Sequence, residues 1–241
     1  MIKSPLAICI LAAGKGTRMN SDMPKVLHTL NNMPLIHHVI NTSKSLNPNK
    51  IVSIIGYKKE LVEESIKKYK TDIAYQLEQK GTAHAIEQCI NQIKEVGGNT
   101  LVLSGDVPFI SKNTLENLIN QHTQRDSIAS LISADINDPT GYGRIVKDKD
   151  GEFIKIVEHK DANENELEIN EINSGIYIFE TKALCEKISL IKNNNNQNEY
   201  YLTDIFNFID SKKISIIKTD SIKEISGINT IDQLKDLEKN S

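Results

Sequence analysis

The sequence predicts an α/β fold, a largely parallel sheet flanked by helices, on three observations. Short apolar runs rich in Ile, Val and Leu alternate with segments of helical periodicity over the first 110 residues, the signature of βαβ units. The first run, Leu6-Ala7-Ile8-Cys9-Ile10-Leu11, opens into a glycine-bearing basic loop, Ala12-Ala13-Gly14-Lys15-Gly16-Thr17-Arg18-Met19, followed by Pro24-Lys25. A second buried-type run, residues 100–104, ends in Gly105-Asp106. Parallel crossovers are right-handed, so the loops after successive strands collect at one sheet edge, where such folds bind ligands. The Gly14–Lys25 loop and Asp106 are therefore expected to be neighbours.

The elements follow in order. After Asn31-Asn32-Met33-Pro34 a helix is expected over 35–45, with proline at its start and Leu35, Ile36, Val39 and Ile40 on one face. Residues 51–55 read as a strand, 59–68 as a helix and 72–77 as a strand. A helix beginning near Gly81-Thr82 carries Ala83, Ala85, Ile86, Cys89, Ile90 and Ile93. Beyond residue 110 the pattern changes: a helix over 114–121, then strands over 128–134, 153–157 and 171–179, which read as a more antiparallel elaboration of the same sheet. Residues 158–170 are polar and acidic, a loop with a short helix. Helices are expected over 181–190, 199–209 and 231–237, with a late strand over 214–217 and a turn at 193–196.

Length and composition bound the function. The 241 residues, 39% hydrophobic, suffice for one large α/β domain, and no linker divides them. The net charge of −3 is spread along the chain without a basic stripe, which argues against nucleic-acid binding. Cys9, Cys89 and Cys185 form no C-x-x-C pair and read as buried thiols. One lysine and a short apolar run broken at Gly14 make neither a signal peptide nor a membrane span, so a cytoplasmic location is the default.

The first loop carries the chemistry. Gly14 and Gly16 suit left-handed turns and close backbone approach to a ligand, and Lys15, Arg18 and Lys25 supply cations for phosphate. The loop fits neither G-x-x-x-x-G-K-[ST] nor G-x-G-x-x-G, so it is a phosphate loop of another type or simply a solvated turn. Asp106 suits a divalent ion such as Mg²⁺ between carboxylate and phosphates; alternatively it caps the helix near Thr114. Glu158-His159-Lys160-Asp161 either holds a sugar or faces water. The six histidines lack metal-ligand spacing, and no serine elbow is present.

Taken together, LAAGKGTRM, SDMPKVLHTL, QKGTAHA, GDVP, DPTGYGRIV, IVEHKDA, EINSGIYIF and NNNNQNEYYLTDI closely resemble the uridylyltransferase domain of the bacterial bifunctional N-acetylglucosamine-1-phosphate uridylyltransferase / glucosamine-1-phosphate acetyltransferase family. The first stretch indicates only the wider sugar-nucleotidyltransferases; GYGRIV, EHKDA and EINSG are far more specific. The resemblance runs from Leu6 to about Asn229. It implies a Rossmann-like, mostly parallel sheet of the nucleotide-diphospho-sugar transferase type, with a nucleotide-binding part over about 1–110, a sugar-binding part over about 111–229 and a terminal helix over 230–241. The activity implied is synthesis of UDP-N-acetylglucosamine and pyrophosphate from UTP and N-acetylglucosamine 1-phosphate, feeding cell-envelope polysaccharide synthesis. Leu11, Ala12, Ala13, Gly14, Lys15 and Gly16 would wrap the nucleotide, with Arg18 and Lys25 against the phosphates. Gln76, Gly81 and Thr82 would contact uracil, Asp106 and Asn229 would hold Mg²⁺, and Gly143, Glu158 and Asn173 would hold the sugar.

Two departures qualify the resemblance. The family continues into a β-helix of hexapeptide repeats that carries acetyltransferase activity and trimer contacts; these 241 residues contain no such repeats, so neither is expected of them. Ser104 stands where some members have tyrosine. The rival readings are a uridylyl- or thymidylyltransferase for another sugar 1-phosphate, which shares the loop and Asp106, and a non-catalytic nucleotide-binding domain, which would have lost Lys25, Asp106 or Asn229.

Overall fold

A computed structural model describes residues 4–239. Residues 1–3 and 240–241, the ends of the expected domain and of its terminal helix, lie outside the described residues. The elements in chain order are β1 (Leu6–Ala12), the short β2 (Thr29–Leu30) and β3 (Met33–Pro34), α1 (Leu35–Ser45), β4 (Lys50–Ile55), α2 (Lys59–Ile66), β5 (Asp72–Tyr75), α3 (Thr82–Glu87), α4 (Ile90–Val96) and β6 (Asn99–Ser104). There follow α5 (Lys112–Gln124), β7 (Ala129–Asp135), β8 (Arg144–Lys147), β9 (Phe153–Val157), α6 (Glu164–Leu167), β10 (Glu171–Glu180), α7 (Thr181–Lys187), β11 (Ile214–Lys218), α8 (Ile222–Ile225) and α9 (Ile231–Lys239).

The main sheet runs β11-β7-β10-β6-β1-β4-β5, with β8 joined to β10 and β9 to β8. β1 is central and pairs in parallel with both neighbours, Ile8 opposite Ile51 on one side and Leu101 on the other. β10 enters antiparallel between β6 and β7, and the β8–β9 hairpin is antiparallel too, which realises the expected change of pattern past residue 110. β11 nevertheless returns parallel to β7.

Strand alternation divides the core. Ile8 and Ile10 join Ile36, Val39 and Ile40 of α1 and Leu115 and Leu118 of α5 on one face. Ala7 and Cys9 face the other way, with Ala83, Ile86, Ile93, Phe179 and Phe206. A sheet covered on both faces requires such uninterrupted apolar strands. Each of the four buried apolar residues of α1 contributes roughly 1.5–3 kcal/mol of burial, far more than its propensity. Among the described residues no helix is long and apolar enough to cross a membrane.

Two helices differ from expectation. The segment from Thr82 to Val96 is not one helix: the turn tightens where the Cys89 amide bonds the Ile86 carbonyl, and Cys89 leaves helical geometry at φ −115°. The break sets the Cys89 sulfur 3.5 Å from that of Cys9 on β1. Both thiols are buried as expected, whereas Cys185 is only half-buried. Residues 199–209 form no α-helix but a 3-10 helix over Leu202–Phe208. The cause is tertiary: the Tyr200 amide bonds the Lys80 carbonyl, the Tyr200 carbonyl takes the Ala83 amide, and the Leu202 amide donates to Thr82 Oγ1 at 2.8 Å. Backbone groups tied to another part of the chain cannot close helical turns.

Candidate functional site

The loop after β1 is shaped around Lys25. Gly16 has φ +67°, and a Cβ there would lie 2.5 Å from the Lys25 Cβ, so only glycine lets the two backbones come this close. Gly14 needs no such freedom; its φ is not positive and the space around it is open, contrary to the expectation of a left-handed turn there. The Lys25 ammonium bonds Asp106 Oδ2 and, at 2.8 Å, Asn229 Oδ1. Arg18 Nη2 reaches the same Asn229 oxygen at 2.8 Å. Four residues far apart in sequence thus meet at one point.

The backbone enforces that meeting. The Gly105 amide bonds the Leu11 carbonyl at 2.9 Å, locking the end of β6 to the end of β1, and the Ile228 amide bonds the Asp106 carbonyl at 3.0 Å. Asp106 does not cap the helix beyond it; Ser111 does, accepting from the Thr114 amide. Lys15 stands apart, its ammonium 5.6 Å over the Tyr57 ring, and the Ala13 carbonyl takes the Tyr57 amide. Ala12 is buried and pairs with Ile55, so its contribution to a ligand is backbone only.

Asp106 and Asn229 converge through oxygen atoms on a single cation, which is the donor chemistry a hard divalent ion requires. Among the described residues no group of three His, Cys, Asp or Glu side chains could hold a metal alone. An ion bound here would need further oxygens from phosphate, as Mg²⁺ in phosphate-transfer sites does.

Two hollows flank this cluster. One, of about 190 Å³, is lined by Arg18, Asp106, Gly227 and Asn229. The other, of about 200 Å³, is lined by Leu11, Thr82, Gly143, Glu158, Asn173 and Tyr177, and the two share Ser104, Gly141, Tyr142 and Ser174. Together they form a cleft at the carboxyl end of β1 and β6. Two larger hollows, of about 450 and 460 Å³, lie at the opposite sheet edge, around Gly98 and Lys50, away from these groups.

In the second hollow the Glu158 carboxylate accepts from Thr203 Oγ1 at 3.0 Å, and a Cβ on Gly143 would stand 3.4 Å from its other oxygen. Burial pushes the Glu158 carboxyl above its ordinary value, outweighing the Thr203 bond, and the charges of Asp204, Asp161 and Glu199 act in the same direction. Asn173 is held at both ends, by the Tyr177 hydroxyl and the Gly175 amide. Gly175, at φ +78°, marks the bulge where β10 slips register against β7. Gln76, 4% exposed, donates to the Gly81 carbonyl at 2.9 Å, so it and Gly81 are in contact, with Thr82 opening into the cleft.

Sequence reasoning missed Thr203, Tyr177 and Arg144. Thr203 carried one signal, a polar residue that proves buried amid the apolar face of a supposed helix. Arg144 is 1% exposed, donates to the Tyr142 carbonyl and steadies the Gly141–Gly143 turn, while its Nε finds no partner among the described residues. A guanidinium on an alternating strand gives no hint of such burial.

The profile of the nucleotidyl transferase family matches residues 7–220. The chain belongs to that family. A bifunctional protein GlmU of Streptococcus pyogenes is 47% identical to this nucleotidyltransferase over 196 residues, 81% of the chain and 42% of the relative. The corresponding protein of Streptococcus uberis is 43% identical over 222 residues, 91% and 48%. The chain thus spans less than half the length of these curated relatives. Among solved structures, a Bacillus anthracis protein assigned as a glucose-1-phosphate thymidylyltransferase superposes with a TM-score of 0.75 at 20% identity, covering 98% of this chain and 94% of that one. HddC from Yersinia pseudotuberculosis superposes with a TM-score of 0.69 at 19% identity, covering 97% and 98%. At such identities the likeness shows the fold alone.

One stability prediction arises from Glu158. Between its ordinary value of 4.5 and its raised value in the folded nucleotidyltransferase, the native state binds more protons than the unfolded chain. Stability therefore falls as pH rises through that window. Glu158→Gln is expected to raise the thermal midpoint near pH 8, with the gain disappearing below the ordinary carboxylate range. A Glu158→Gln midpoint no higher than the parent's near pH 8 would contradict the burial assignment.

Proposed function

We propose that this nucleotidyltransferase makes UDP-N-acetylglucosamine and pyrophosphate from UTP and N-acetylglucosamine 1-phosphate. The observation that carries the proposal is the Lys25 ammonium, bonded to Asp106 and Asn229 beside the hollow that holds Glu158 and Asn173. The family membership and the GlmU relatives support it.

The sugar phosphate attacks the α-phosphorus of UTP with an oxygen that is already anionic, so no protein base is needed. The chain's task is alignment and stabilisation of charge at the crowded phosphorus and on the departing pyrophosphate. Lys25 and Arg18 supply fixed cations for this, and the backbone from Leu11 to Gly16 wraps the nucleotide. Gln76, Gly81 and Thr82 read the uracil; Gly143, Glu158 and Asn173 seat the N-acetylglucosamine. Asp106 and Asn229 would hold Mg²⁺, which when bound shields phosphate charge and orients the reacting groups. In this reading residues 1–110 serve the nucleotide and 111–229 the sugar, and the enzyme works in the cytoplasm on small molecules, with neither nucleic acid nor membrane as partner.

The test is pyrophosphate release against a panel of nucleoside triphosphates and sugar 1-phosphates, with Mg²⁺ and with chelator. Release is expected with UTP and N-acetylglucosamine 1-phosphate, and to be lost on chelation. No turnover of that pair, or preference for TTP or another sugar, would overturn the assignment.

A further inference from the structure

The hydrogen-bond directions around Asn173 leave one donor over. Asn173 and Tyr177 are 7% and 5% exposed and both line the hollow of about 200 Å³. The Gly175 amide, which can only donate, meets Asn173 Oδ1 at 3.2 Å and so settles which way the side-chain amide faces. Nδ2 then points at the Tyr177 hydroxyl and donates to it at 2.7 Å. An amide NH₂ has nothing to accept with, so the hydroxyl accepts and its own proton is committed to no other group. Among the described residues this is the hydroxyl's one hydrogen bond.

The rest of the surroundings hold that proton in place. Burial, and after it the charge of Glu158, raise the Tyr177 phenol far above its ordinary value, outweighing the donation from Asn173. The ring cannot swing away: its centroid lies 5.9 Å from that of Phe179 and 5.7 Å from that of Phe206. A buried donor without an acceptor is costly, and an acceptor oxygen entering the hollow would relieve the cost.

We propose that the Tyr177 hydroxyl donates a hydrogen bond to an acceptor oxygen of the sugar 1-phosphate, making Tyr177 a binding residue of the sugar hollow as well as a support for Asn173. The proposal rests on the sugar-binding reading of that hollow. The bulge at Gly175 is what makes the arrangement possible, because it turns Asn173 and Tyr177 toward each other across four residues.

A double-mutant cycle at saturating UTP separates the two roles. Tyr177→Phe is expected to raise the KM for N-acetylglucosamine 1-phosphate roughly three- to tenfold, the worth of one hydrogen bond, with the KM for UTP unchanged. In the Asn173→Ala background the same change is expected to raise it again by a similar factor. If Tyr177→Phe adds nothing there, the hydroxyl serves only to hold Asn173 and the proposal fails. Incorporation of 3-fluorotyrosine at 177, nearly the same shape and a stronger donor, tests the idea where the truncated variants fold poorly; it is expected to lower that KM, and an unchanged KM would count against the proposal. The parent enzyme distinguishes the failures. If it does not turn over UTP with this sugar phosphate, the sugar reading fails and this inference with it; if it does, a flat response at Tyr177 removes only the inference.

Discussion

Lys25→Ala is expected to lower kcat by roughly 10²- to 10³-fold while changing the KM for UTP far less. The ammonium bonds both Asp106 and Asn229, and its side-chain stem packs closely against Gly16. A fixed cation at this point acts mainly on charge that develops as pyrophosphate leaves, so its loss should appear in turnover rather than in ground-state binding. Removing it also leaves the Asp106 carboxylate, only 21% exposed, without its cation. Lys25→Arg should rescue little, because a longer, planar guanidinium does not reproduce the compact ammonium that bonds Asp106 and Asn229 together. Steady-state pyrophosphate release decides the matter; a Lys25→Ala enzyme with near-parental kcat would remove Lys25 from the reaction.

Gly81→Ala is expected to cost about 3 kcal/mol of stability, from backbone strain and overpacking of roughly 1–3 kcal/mol each. The residue has φ +110°, and an added Cβ would stand 2.5 Å from the Tyr200 carbonyl oxygen and 2.7 Å from its nitrogen. Both are backbone atoms already bonded to Ala83 and Lys80, so they cannot give way without breaking the link between α3 and the 200–203 segment. For a chain of this size the thermal midpoint should fall by roughly 6–12 °C. The KM for UTP should rise with it, since Gln76 bonds the Gly81 carbonyl. Gly14→Ala is the internal control: nothing lies within 4 Å of its would-be Cβ, and its stability should stay within about 0.5 kcal/mol of the parent. Equal melting points for the two variants would refute the close-approach argument.

Much of this protein is legible in its sequence. The strand runs, the helix Leu35–Ser45 and the hairpin strand Phe153–Val157 emerge where the residues specify them, because hydrophobic alternation and a well-placed proline act locally. The meeting of Lys25 with Asp106 also followed from sequence, through the rule that loops after parallel strands share one edge. The 199–209 segment departs from its helical expectation for the opposite reason. Its periodicity is helical, and Tyr201, Leu202, Ile205, Phe206 and Ile209 are indeed buried, yet its first amides and carbonyls bond residues 80–83. Periodicity reports which side chains face the core; it is silent on where the backbone's own hydrogen bonds go.

The same division runs through the site. Residue types and their order point to Arg18, Lys25 and Asp106, whose charge and donor chemistry belong to the residues themselves, and leave Glu158 open between sugar and water; Asn173 and Asn229 are named only by the family resemblance. Which of them touch was a matter for the folded chain. That Asn229 lies against both Arg18 and Lys25, that Thr203 bonds Glu158, and that the Tyr177 hydroxyl accepts from Asn173 all depend on contacts between residues from 4 to 211 positions apart. A hydrogen bond is set by distance and direction over about 3 Å, and only tertiary packing fixes positions that finely across a chain of this length.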